Sequence, residues 1–65
     1  MKLIVNGQSH EVAAATLAAL LVELDFRGSW LATALNGDVV QAKERDRCWL
    51  TEGDRIEILS PMKGG

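Results

Sequence analysis

Sixty-five residues allow one domain near the lower limit for a self-supporting core, with no room for both a core and a deep substrate cleft. A hydrophobic content of 48% with 25% charged residues is ordinary globular composition and excludes disorder, while a net charge of −2 without a basic stripe sets nucleic-acid binding aside. No apolar run approaches the roughly 20 residues of a membrane span, Met1–Asn6 is too short for a signal peptide, and a single cysteine, Cys48, forbids an internal disulfide and fits a reducing cytoplasm.

Met1, Leu3 and Val5 alternate with Lys2, Ile4 and Asn6, which predicts a half-buried strand with Ile4 on its outer face. Asn6-Gly7 then signals a hairpin, because a type I′ turn needs positive φ at both central residues. The polar return strand, Gln8 to Val12, reads as an edge. Thr16 is a good N-cap, and Leu17, Leu20, Leu21 and Leu24 follow at helical spacing as one apolar stripe. That helix is expected to end between Leu24 and Arg27, with Gly28 as its left-handed stop. Trp30 to Leu35 reads as a short buried strand, Asn36-Gly37 as a second hairpin turn, and Asp38-Val39-Val40 as its return. The mixed charges of Gln41 to Arg47 indicate a solvated loop or a short helical turn. After Cys48-Trp49-Leu50 and the turn Thr51-Glu52-Gly53-Asp54, Arg55 to Leu59 alternates as a final strand with Ile56 and Ile58 inward.

Two hairpins, one helix and a last strand combine if the leucine stripe covers one face of a mixed sheet. The first and last strands can then lie side by side and parallel at its centre, because the intervening chain is long enough for the crossover. The expected fold is α+β: a β-grasp with a mixed sheet of four to five strands on one main helix. Its domain would be residues 1–59, with residues 60–65 as a flexible C-terminal tail.

No constellation of an enzyme is present. Ser9 and His10 are strand neighbours on opposite faces, with His10 read as solvent-facing, and Cys48 as a small buried hydrophobe. No Cys/His spacing suits a metal, and no glycine-rich turn opens a helix to cradle phosphate. Glu52-Gly53-Asp54 is turn chemistry. The tail Ser60-Pro61-Met62-Lys63-Gly64-Gly65 stands apart. Pro61 ends the strand, and Gly64 and Gly65 can thread a slit too narrow for side chains. Six extended residues reach at most about 20 Å, which would carry the terminal carboxylate into a partner's active site. The plain alternative is a frayed end.

The opening strand with Asn6-Gly7, the Thr16-Leu17 helix start with Leu20-Leu21, and Ala34-Leu35-Asn36-Gly37-Asp38-Val39-Val40 form a pattern. With Glu52-Gly53-Asp54-Arg55-Ile56-Glu57-Ile58 and the closing Gly64-Gly65, it resembles the bacterial thiamin-pathway sulfur carrier proteins, the ThiS family, over the whole chain. The chain departs from the family's habit in having Gln41-Ala42 where many members carry Pro-Arg. The resemblance implies a carrier, not an enzyme, with no bound cofactor and no metal. Gly65 would be adenylated by a ThiF-like enzyme that uses ATP, and then converted to a thiocarboxylate with sulfur from a donor bearing a reactive cysteine. A ThiG-like thiazole synthase would accept that sulfur. Gly64 would permit threading, and Met62 and Lys63 would give the partner's groove something to grip. Trp49 is read as core, with a partner-facing patch shared with Ile4 and Leu59 as the alternative. The rival functions are the small subunit of molybdopterin synthase, a ubiquitin-like protein modifier, and an interaction module with an inert tail.

Overall fold

In the alternating segments, every second side chain is apolar and buried, and burial decides which way each strand faces. The computed structural model describes residues 1–27 and 30–60. Strands β1 (Lys2–Val5), β2 (Gln8–Glu11), β3 (Ala32–Leu35), β4 (Asp38–Val40) and β5 (Arg55–Leu59) form one five-stranded sheet in the order β2-β1-β5-β3-β4. β1 and β5 are parallel at its centre, and the other pairs are antiparallel. This is the expected β-grasp, with five strands. Leu3, Val5, Ile56 and Ile58 point to one face, where Leu17, Leu20 and Leu21 of helix α1 (Leu17–Glu23) cover them. Leu3, Leu17, Leu20 and Ile56 are fully buried, so the core is a contact of two layers.

Both hairpins turn on Asn-Gly pairs with positive φ: Asn6 at 50° and Gly7 at 82°, Asn36 at 50° and Gly37 at 90°. A type I′ turn requires these angles, and Asn and Gly reach them at least cost. Thr16 caps α1 as expected, its Oγ1 accepting from Ala19 N at 3.2 Å. Across the layer, Glu23 accepts from the backbone N–H groups of Ala13 and Ala14 at 2.9–3.1 Å, which ties the incoming connection to the helix's last turn.

The helix stop differs from the expectation. Asp25, at φ 63°, takes the left-handed position, Asp25 N donates to Val22 O, and Phe26 N donates to Leu21 O at 2.8 Å. That is a Schellman end, closed three residues before Gly28, which lies outside the described residues. Half-buried Phe26 packs against the core and holds the chain to this earlier stop. An aspartate here bears both a Cβ in the left-handed region and a negative charge at the negative end of the helix. Asp25→Gly is therefore expected to raise stability by about 0.5–1 kcal/mol, seen as a higher urea midpoint. A lower midpoint would mean that the exposed ion pair between Asp25 Oδ1 and Arg27 Nε, at 2.7 Å, outweighs the backbone term.

Two further expectations are corrected. The third strand begins at Ala32, and Trp30, placed in a buried strand by its apolar neighbours, is 68% exposed in the turn before it. His10 is half-buried and not solvent-facing, because the register sets it opposite Leu3 on the helix-covered face. The charged segment after β4 is a 3₁₀ helix (Ala42–Arg47), the second of its two expected forms.

Candidate functional site

β5 is the strand that leads to the tail, and it lies between two neighbours. Its outward residues, Arg55, Glu57 and Leu59, share the uncovered face of the sheet with Ile4, Ala32, Ala34 and Val39, by the cross-strand register. Leu59 is 66% and Val39 81% exposed, while Ile4 is half-buried. A shallow depression runs across this face between the two hairpin turns, lined by Ile4, Gly7, Asn36, Gly37, Arg55 and Glu57. Apolar side chains with one charge of each sign in reach suit a protein surface better than a small polar ligand.

Of the residues singled out from the sequence, Ile4 and Leu59 fall on this one face, separated along β5 by Arg55 and Glu57. Trp49 does not join them. It is 70% exposed, so the core reading is corrected. It bridges to Thr16, the cap of the helix that covers the opposite face, while Leu17 N donates to Cys48 O and Leu50 N to Ala15 O on either side of it. In that short ladder Leu50 points inward, at 6% exposure, and Trp49 therefore points away. Met62, Lys63, Gly64 and Gly65 lie outside the described residues.

The turn entering β5 is built on Asp54. Burial pushes its carboxyl up, but hydrogen bonds from Thr51 N at 2.8 Å, Asn36 Nδ2 at 3.1 Å and Thr51 Oγ1 at 3.1 Å outweigh that and hold it below its ordinary value of 3.8. A carboxyl depressed by folding stabilises fully above its unfolded value, and that contribution fades as pH falls through the lower folded value. Acid titration of the urea midpoint from about pH 5 to about pH 2 is expected to show a loss that Asp54→Asn flattens. An unchanged slope in that variant would count against it.

Cys48 carries the chain's only thiol, half-buried. Burial first and the Asp54 carboxylate second push its pKa up, so it stays protonated and a weak nucleophile at neutral pH. Ser9 lies opposite Ile4 and His10 opposite Leu3, on different faces of the sheet, so they form no nucleophile–base pair. Among the described residues no three His, Cys, Asp or Glu side chains cluster as metal ligands, and no helix is long and apolar enough to cross a membrane.

Two side chains had roles that composition hid. Arg45, read as solvated charge, is half-buried and donates to Thr33 Oγ1 at 3.0 Å and Leu31 O at 2.7 Å, while Thr33 Oγ1 donates to Val40 O at 2.8 Å. The available signal was Thr33 itself, a polar residue at an inward strand position that needs partners. Asn6, read only as a turn former, also binds β5, with its amide at Ile58.

A family model described as ThiS family matches residues 3–65. Among solved structures, a crystal structure of a thiamine biosynthesis protein (ThiS) from Geobacter metallireducens is similar with a TM-score of 0.83 and 32% identity, covering 100% of each chain. An NMR solution structure of a thiamine biosynthesis protein from Geobacter metallireducens has a TM-score of 0.81 and 32% identity, over 100% of this chain and 88% of that one. Comparison with curated proteins found no match.

Proposed function

The chain belongs to the ThiS family, and we propose that it carries sulfur for thiazole formation in thiamin biosynthesis as a thiocarboxylate on Gly65. The observation that carries this reading is position: β5, at the sheet's centre, ends at Leu59, close in sequence to the closing Gly64-Gly65, and the family match extends to Gly65. A ThiF-like enzyme binds ATP, and a carboxylate oxygen of Gly65 attacks the α-phosphorus as pyrophosphate leaves. The resulting acyl adenylate has a good leaving group, which a free carboxylate lacks. The terminal sulfur of a donor's cysteine persulfide attacks the acyl carbon and AMP departs, leaving an acyl disulfide. A thiol then attacks the donor's cysteine sulfur and the S–S bond breaks. The thiol ends in a disulfide with the donor, and the carbon keeps one oxygen and one sulfur. A ThiG-like thiazole synthase takes that sulfur. Gly64 lets the chain pass a narrow channel, Met62 and Lys63 provide grip, and the reaction runs inside a partner that excludes water.

The domain's own chemistry supports a carrier role. Its one thiol is half-buried and pushed toward its protonated form, which makes it a poor sulfur-transfer nucleophile and fits sulfur supplied by a donor. The exposed sheet face beside β5, with Ile4 and Leu59, is the docking surface this reading assigns, and its nearness to Ser60 supports that assignment. The cytoplasm, where ATP and reduced thiols are supplied, is the compartment this chemistry needs.

Intact-mass measurement after incubation with ATP, a ThiF-like enzyme and a sulfur donor tests the proposal. A gain equal to sulfur replacing one oxygen, lost again on addition of thiazole synthase and its substrates, is expected. An unchanged mass would overturn it, and higher-mass isopeptide conjugates would identify a modifier. Sulfur lost only when the chain is combined with the large subunit of molybdopterin synthase and its substrate would make it that enzyme's small subunit.

A further inference from the structure

The two edges of β5 are not served alike. Toward β3 its pairing runs from Ile56 to Leu59. Toward β1 it stops at Ile4↔Arg55 and Val5↔Ile56, because β1 leaves the sheet at Asn6-Gly7. Asn6 N makes the last main-chain bond on that edge, to Ile56 O at 2.9 Å. Alternate residues of a strand present their backbone groups to the same edge, so the next groups facing that side are the N–H and C=O of Ile58. Ile58 is 3% exposed, and its polar groups would be costly to leave unpaired. The Asn6 side chain meets both: Oδ1 accepts from Ile58 N at 2.8 Å, and Nδ2 donates to Ile58 O at 3.1 Å. One carboxamide thus takes the place of a missing strand residue two positions before Ser60.

Asn36 provides an internal comparison. It has the same turn geometry, and its amide also braces β5, but at the other end, accepting from Arg55 N at 2.9 Å and donating to Asp54 Oδ1 at 3.1 Å. The geometry points to Asn6 as a positioning residue for the transfer reaction: its amide holds the last rung on the β1 side of β5 and sets the direction in which the chain leaves the sheet at Ser60. This rests on the reading of Gly65 as the reacting end. Without the rung, the end of β5 is held from one edge only. The fraction of molecules that present the tail in a competent direction falls, and apparent affinity falls with it. Once seated in the activating enzyme, the tail reacts as before.

Steady-state adenylation, followed by pyrophosphate exchange with a ThiF-like enzyme, separates these effects. Asn6→Gly keeps the positive-φ turn and is expected to raise KM for the carrier about tenfold with kcat within about twofold. Asn36→Gly, equally tolerant of its turn, is expected to leave KM within about twofold. A KM unchanged in Asn6→Gly, or raised equally in both variants, overturns the proposal. Amide hydrogen exchange gives an independent reading: the Ile58 N–H should exchange at least about tenfold faster in Asn6→Gly, but not in Asn36→Gly. Slow exchange at Ile58 in the first variant overturns the rung itself. If Asn6→Gly does not fold, Asn6→Asp replaces it, keeping the acceptor for Ile58 N but setting an oxygen against Ile58 O; because the N–H keeps its partner there, the KM comparison with Asn36→Gly alone decides. A wild-type chain that is never adenylated sinks the functional reading and the role of Asn6 in it. The exchange experiment would still judge whether Asn6 holds Ile58.

Discussion

Deletion of Gly65 is expected to lower adenylation by at least about a hundredfold while leaving the fold intact. The deletion removes about 3.3–3.6 Å of reach from an extended chain. In-line attack needs the reacting atoms about 3–3.5 Å apart, and a misplacement of about 1 Å can already cost about 10²-fold. A tail that must extend fully to reach a partner's active site, as the proposed function requires, would have no slack to make up the difference. The buried apolar residues of the described core lie between Leu3 and Ile58, so the urea midpoint should not move. Gly65→Ala asks a second question, because it keeps the length and adds only a methyl group beside the carboxylate. It should fold normally and fail to be activated if the channel admits no side chain. Wild-type adenylation in both variants would mean that the length and last residue of the tail are not read, and would count against Gly65 as the reacting residue.

The largest effect on stability is expected from Leu20→Ala. Leu20 is fully buried at the centre of the helix stripe, facing the sheet. Removing that side chain should cost about 3 kcal/mol, combining lost transfer energy with the cavity left behind. A domain of this size has only about 3–10 kcal/mol in total. The variant should therefore be partly or wholly unfolded without denaturant, or show a urea midpoint lower by about 1–3 M. Val22→Ala, on the same helix but 80% exposed, is the control and should stay within about 0.5 kcal/mol of wild type. Leu24, half-buried at the C-cap, should fall between them. A Leu20→Ala chain as stable as the Val22→Ala chain would contradict a two-layer core centred on this contact.

The amino-acid sequence by itself determined the architecture, because the determinants are local and strong. Period-two alternation in Lys2–Val5 and Arg55–Leu59 settles which side chains are buried, and the leucines of α1 do the same at helical spacing. Asn-Gly twice forces tight hairpins, and a long connection after each allows the parallel pairing of β1 with β5. The family pattern was legible for the same reason. Hydrophobic composition, in contrast, misplaced Trp30 and Trp49. Large aromatic residues in short apolar runs look like core, yet this small core is filled by aliphatic residues, and both indoles stand in solvent. Gly28 looked like the helix stop, but Phe26 closes the helix earlier by packing back on the core.

Only the tertiary structure decided the long-range polar contacts. Asn6 meets Ile58 across 52 residues, and Arg45 reaches Thr33 and Leu31 from a segment that reads as solvated charge. A side-chain amide or guanidinium bonds whichever backbone group the sheet order leaves unpaired beside it. That order emerges only when all five strands are assembled, so no local window of sequence contains it.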